Sequence, residues 1–214
     1  MKRERTRLIL AILLTAVLWF FMFSPWTKGW LNFWLAMSCS AVLLTGVALA
    51  FSTDLKRLWP VEKPLWQLQG GIALAFALWG IFWIGDKASS WLFDFARPEV
   101  DAVYAMKTGQ SPTLIALLLL FLIGPAEEFF WRGYVQHTLE RVCGGPKAKI
   151  WAFSLTLCIY AFIHIWSGNF MLFAAAAVAG FVWGIIYLFC PKALPALIVS
   201  HALWDALVFV FLPI

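Results

Sequence analysis

Residues 113–136 read TLIALLLLFLIGPAEEFFWRGYVQ. The run is long and apolar enough to cross hydrocarbon as a helix, which takes about twenty residues. Its second half then does something a mere lipid-crossing helix avoids. It sets Glu127 and Glu128 side by side and follows them with Arg132. Charged groups at membrane depth are costly, so a cluster of them points to function.

Outward from this segment the same pattern repeats. Seven candidate spans appear: Leu8–Phe23, Trp30–Phe51, Gly70–Gly85, Thr113–Gln136, Ile150–Trp166, Phe170–Cys190 and Leu194–Leu212. Hydrophobic residues make up 63% of the 214-residue chain and charged residues only 13%, against roughly a quarter charged in a soluble domain. The expectation is an all-α, polytopic transmembrane helix bundle of about seven spans, within a range of six to eight because the first and third runs are short. Residues 1–112 read as amino-terminal membrane helices with an outer loop, and 113–214 as a helical core that carries the chemistry.

The connections orient the bundle. Lys2, Arg3, Arg5 and Arg7 precede the first span with no small-x-small cleavage site after it, so this helix reads as an uncleaved anchor. With the amino terminus inside, eleven Lys and Arg fall on the inner side and four on the outer, as the positive-inside rule requires. Asp54–Leu68, with Trp59, Trp66, Lys56, Arg57 and Lys63, is expected along the interface, and Asp86–Pro112 is expected to hold a short helix over the outer face. The fourteen tryptophans suit an aromatic belt. Gly180 and Gly184 suit close helix packing within the chain. Neither internal repeats nor low-complexity stretches are visible. The net charge of +5 comes without a basic contact patch, so no nucleic-acid partner is expected. Cys39, Cys143, Cys158 and Cys190 lack metal-site or disulfide spacing and read as small apolar filler.

Six ionisable residues fall within spans: Glu127, Glu128, Arg132, His164, His201 and Asp205. Glu128 and Arg132, four apart, share a helix face and can pair. Glu127 is turned about 100° away and is left to face a pocket. A turn at Gly144-Gly145-Pro146 joins this span to the next, and Glu127 and His164 lie at matching distances from it, roughly 27 Å of helix each. They are expected at one depth, close enough to hold a water, with Tyr160 one turn before His164. His201 and Asp205 share a face of the last span; Asp205 either accepts from a ring nitrogen or stays protonated and donates. By residue count His164 lies near the outer end of its span and His201 nearer the inner end. The two meet if the Gly144 hairpin projects into the cytoplasm or the turn before the last span is recessed. His137, beside polar residues, reads as interfacial. A carboxylate, two histidines and a second acid suit water activation by a general base with oxyanion stabilisation. They suit equally a divalent metal such as zinc on two histidines and a glutamate, although the H-E-x-x-H run is missing. Ser167 and Ser200 lack the G-x-S-x-G setting of a nucleophile. The plainer alternative throughout is a structural ion network between helices.

The series Glu127-Glu128-x-x-x-Arg132, Tyr160-x-x-x-His164 and His201-x-x-x-Asp205, over residues 113–212, resembles the CPBP (Abi) family of intramembrane proteases, which includes the type II CAAX prenyl endopeptidases and bacteriocin self-immunity proteins. The resemblance implies a glutamic endopeptidase with no bound metal, in which Glu127 and His164 activate water, His201 and Asp205 form the oxyanion side, and Glu128, Arg132 and Tyr160 support them. Two departures are present: Tyr160 stands where phenylalanine is usual, and Asp205 where the prenyl endopeptidases have asparagine. An ionised aspartate cannot donate to an oxyanion, so Asp205 is expected to orient His201. The partners implied are the lipid bilayer and a peptide or protein substrate, cleaved near the membrane to mature a carboxy-terminal or membrane-associated segment. The short chain resembles bacterial or archaeal members, placing it in a cytoplasmic membrane with its amino terminus inside. Rival expectations are a metal-dependent membrane hydrolase, a non-catalytic immunity or scaffold protein, and a proton-coupled transporter, the last disfavoured by the lack of inverted repeats.

Overall fold

The computed structural model describes residues 2–27, 29–54 and 62–214, and among these it is helical with no strand. In hydrocarbon each backbone N–H and C=O must be satisfied within its own segment, which long apolar runs achieve as helices. Seven helices are long and apolar enough to span: α1 (Lys2–Phe23), α2 (Phe33–Phe51), α3 (Pro64–Leu92), α5 (Pro112–Cys143), α6 (Ala148–Ser167), α7 (Phe170–Phe189) and α8 (Pro191–Phe211). The protein is therefore a multi-pass integral membrane protein. A short helix, α4 (Ala96–Tyr104), lies between α3 and α5, as expected. Polar residues start several of these helices: the side chains of Asn32, Ser111 and Asn169 accept the amides of Leu35, Leu114 and Leu172.

Several boundaries and placements differ from expectation. The third span is 29 residues, not 16, because Pro64 opens it and Asp86 continues it. Asp86 is buried and paired with Lys87 at 2.9 Å and Arg97 at 3.1 Å, so a residue expected in the outer loop is helical. Trp66 and Leu68 belong to the first turns of α3, and Lys56, Arg57 and Trp59 lie outside the described residues. His137 is buried within the bundle. The four cysteines are free and exposed on the bundle surface rather than filling its interior. Trp26, Trp30, Trp66 and Trp91, near helix ends, are exposed as a belt requires.

Contacts across the bundle define its two ends. At one end Arg141 meets Glu4 at 3.3 Å and Lys192 meets Glu62 at 2.9 Å. At the other, Glu99 of α4 accepts the Met171 amide at 2.9 Å, and Lys107 donates to the Phe209 carbonyl at 2.8 Å. The apolar core draws on both halves of the chain, with Leu8, Trp19 and Trp34 packed among Phe130, Trp131 and Tyr160. Helix α8 is wedged in by glycines. A Cβ at Gly71 would sit 2.6 Å from the Ala196 carbonyl oxygen, and one at Gly124 would sit 2.6 Å from the Ala202 Cα. The glycines thus let α3 and α5 approach α8 backbone to backbone.

Candidate active site

Helix α5 is irregular where its charges lie. Pro125, inside the helix, has no N–H and crowds the carbonyl four residues back. The turn before it, Leu119–Ile123, widens to π-helical geometry, and a second π stretch runs over Phe129–Gln136. Between them the α-helical turn Gly124–Glu128 carries both acids. Such π segments often mark functional positions.

The acids divide as their helix positions predict. Glu128 is fully buried, and its Oε1 accepts from Arg132 Nη1 at 2.7 Å. Arg132 also donates to the Gly180 carbonyl at 3.0 Å and lies over the rings of Tyr160 and Trp183. One turn on, Gln136 donates to the Gly184 carbonyl at 3.0 Å. The Gly180/Gly184 pair is a packing seam within one chain, as expected: its carbonyls accept from α5, and a Cβ at either glycine would meet α6, Tyr160 at 2.8 Å or Phe153 at 3.1 Å. Glu127 instead accepts a hydrogen bond from the Tyr160 hydroxyl at 3.2 Å, which places α5 and α6 at the common depth the hairpin count demands.

Each histidine has a fixed setting. His164 Nδ1–H donates to the Tyr160 carbonyl at 2.8 Å, and its Nε2 accepts from the Trp19 indole at 3.2 Å. The ring is therefore the neutral Nδ1–H tautomer. His201 Nδ1 lies 2.9 Å from Glu128 Oε1, whereas its Nε2 is 3.5 Å from Asp205 Oδ2. The tighter hold on His201 comes from Glu128 across the helix interface, not from its own-helix neighbour Asp205. Trp183 stacks flat on the His201 ring, with centroids 4.0 Å apart and planes at 19°, and anchors its own N–H on Ser200 at 3.1 Å.

Glu127, Tyr160, His164, His201 and Asp205 all line one cavity of about 120 Å³. The expected mismatch in depth between His164 and His201 is absent. At 1.5 Å per residue the 32-residue α5 is about 48 Å long, longer than a hydrocarbon core of about 30 Å is thick. Val103 and Met106, from the segment around α4, cover the cavity, and Trp34 donates to the Met106 carbonyl at 3.0 Å. A second chamber of about 340 Å³, mostly apolar, lies between α3 and α7 and shares Val103, Leu172, Ala175, Trp204 and Phe209 with the first. Among the described residues no three His, Cys, Asp or Glu side chains are grouped to hold a metal ion. Trp19 takes His164 Nε2 and Glu128 takes His201 Nδ1, while His201 Nε2 faces Asp205.

With this geometry in view, residues 109–207 match the family model described as Type II CAAX prenyl endopeptidase Rce1-like. Over those residues the chain is similar to the CPBP/CAAX protease family. No curated protein and no solved structure matches the chain. The CAAX-protease match covers α5 to α8 up to Leu207, a little under half of the chain, and every residue of the three motifs lies inside it. The match supports a protease, a hydrolase, as the class of activity.

Trp19 lies outside the CAAX-protease segment, and sequence reasoning missed it. A tryptophan near a span end looks like any other belt residue, and only the fold reveals that its N–H reaches His164. The helix crossing at Gly124 gives a direct test of the site's construction. Gly124→Ala should push α5 off Ala202, cost about 1–3 kcal/mol as an overpacked contact, and lower activity, since Glu127 and His201 flank that crossing. Thermal unfolding in detergent, with hydrolysis followed on the same sample, checks both effects.

Proposed function

We propose that this protein is a glutamic intramembrane endopeptidase that uses no metal. The observation that carries the reading is the single cavity to which α5, α6 and α8 contribute Glu127, His164, His201 and Asp205. In this mechanism Glu127 takes a proton from water as the water attacks a peptide carbonyl, and His201 Nε2 steadies the developing oxyanion. His164 helps to hold the water through Nε2, so the Trp19 N–H must leave that lone pair as the water arrives. Glu128, braced by Arg132, fixes the His201 ring. Because His201 Nδ1–H is given to Glu128, Nε2 meets the oxyanion only when it too carries a proton, and that N–H also faces the ionised Asp205. The apolar chamber beside the cavity suits a substrate with an apolar, membrane-associated segment near the bond to be cleaved.

The basic ends Lys2–Arg7, Arg141 and Lys192 support an orientation with the amino terminus inside. The cover formed by Val103 and Met106 would then lie toward the outer face. The decisive test is purified protein in lipid vesicles, incubated with a library of hydrophobic peptides, prenylated and unprenylated, and products read by mass spectrometry. Internal cleavage at defined bonds is expected. If every peptide stays intact, or the vesicles instead take up solute in step with a proton gradient, the reading is wrong. Metal removal separates the remaining rival: activity should survive dialysis against a strong chelator, and a loss that zinc restores would favour the metal-dependent hydrolase.

A further inference from the structure

The Tyr160 hydroxyl lies against the reacting groups in a way that a supporting residue does not require. We propose that Tyr160 is itself catalytic: its O–H serves the Glu127 carboxylate in the resting site and the oxyanion of the tetrahedral intermediate during reaction. This inference rests on the endopeptidase reading above.

Tyr160 is buried and held on several sides. Trp131 and His164 meet its ring edge-on at 5.2 Å, and the Arg132 guanidinium lies 5.1 Å from its centroid. Gly180 leaves it room, since a Cβ there would stand 2.8 Å from its Cδ1. The hydroxyl is thereby fixed at the wall of the 120 Å³ cavity, 3.2 Å from Glu127 Oε2. That distance is long for a hydroxyl on a carboxylate, where 2.5–2.7 Å is usual. The proton is therefore loosely held and easily redirected.

An accounting of donors shows why it is needed. Peptide hydrolysis places negative charge on the carbonyl oxygen, which preorganised donors must meet. On the cavity wall, Glu127 is the base, and an ionised Asp205 only accepts. His164 Nδ1–H is engaged by the Tyr160 carbonyl, and the Trp34 N–H by the Met106 carbonyl. The Trp204 N–H is buried without a hydrogen-bond partner among the described residues and exposes no surface for a substrate oxygen to meet. His201 Nδ1 is held by Glu128, so His201 offers Nε2 at most. Tyr160 supplies a second donor.

The step balances. Water oxygen bonds to the carbonyl carbon, the water proton passes to Glu127, and the carbonyl π pair moves onto oxygen. Glu127, now neutral, no longer needs a donor, and the Tyr160 O–H turns to the oxyanion. When the intermediate collapses, the C–N bond breaks, the leaving amine takes the proton from Glu127, and Tyr160 returns to the carboxylate. Tyr160 keeps its own proton throughout.

Tyr160→Phe removes one oxygen and leaves the ring contacts in place. On a peptide identified by the library assay, kcat should fall about 10²-fold with KM nearly unchanged. Affinity for a peptide phosphonamidate, a tetrahedral mimic, should fall by a similar factor, while an uncleavable ground-state isostere binds as before. Wild-type kcat in Tyr160→Phe, or equal weakening of both ligands, overturns the proposal. Glu127→Gln, assayed alongside, separates the two readings. If it too turns over normally, the endopeptidase mechanism has failed; if it is inactive while Tyr160→Phe is normal, only the role of Tyr160 falls.

Discussion

Glu127→Gln is expected to lower kcat on the order of 10³-fold while leaving the fold and substrate binding intact. The substitution keeps the size and polarity of the side chain, and the amide oxygen can still accept from the Tyr160 hydroxyl 3.2 Å away. What disappears is a group able to take the proton of an attacking water. No other carboxylate substitutes readily. Glu128 is tied to Arg132 and His201, and Asp205 is directed at His201 Nε2. Single-turnover hydrolysis in vesicles, with the unfolding temperature measured on the same preparation, gives the result. Turnover like that of the wild type would remove Glu127 from the chemistry. It would leave the non-catalytic scaffold reading, in which this carboxylate is dispensable, as the better account.

The sequence makes the fold legible because lipid allows few alternatives. Apolar runs of spanning length must become helices there, and all seven expected spans are present. Their ends were less legible. Asp86 looked like loop, since its compensating partner Arg97 comes from a separate helix eleven residues on. The site was legible for the complementary reason: Glu127, His164, His201 and Asp205 stand out as ionisable groups in apolar text. Pairings between helices could not be read off. The i to i+4 rule correctly joins Glu128 to Arg132, but it also joins His201 to Asp205, and across the bundle Glu128 holds that ring at the shorter distance. Periodicity sees one helix at a time. The contact of Trp19 with His164, 145 residues apart, lies beyond its reach entirely.

Removing Arg132 should give the largest loss of stability of any single change at the site. Its side chain is 1% exposed, pairs with Glu128 at 2.7 Å and caps the Gly180 carbonyl. In Arg132→Met the Glu128 carboxylate stays buried with only His201 to balance it. Stranding one partner of a buried ion pair typically costs about 3–5 kcal/mol. The expected result is a sharply lower unfolding temperature in detergent, together with loss of hydrolysis. Fold and chemistry separate in the double variant Glu128→Met/Arg132→Met. With both charges gone and the volume nearly kept, much of the lost stability should return, because well-packed apolar residues often replace a buried pair at little cost. Activity should not return, since His201 Nδ1 has lost the carboxylate that fixes its ring. A double variant that regains both would show that Glu128 braces the bundle without orienting His201, and the ring would then depend on Asp205 and the stacked Trp183 alone.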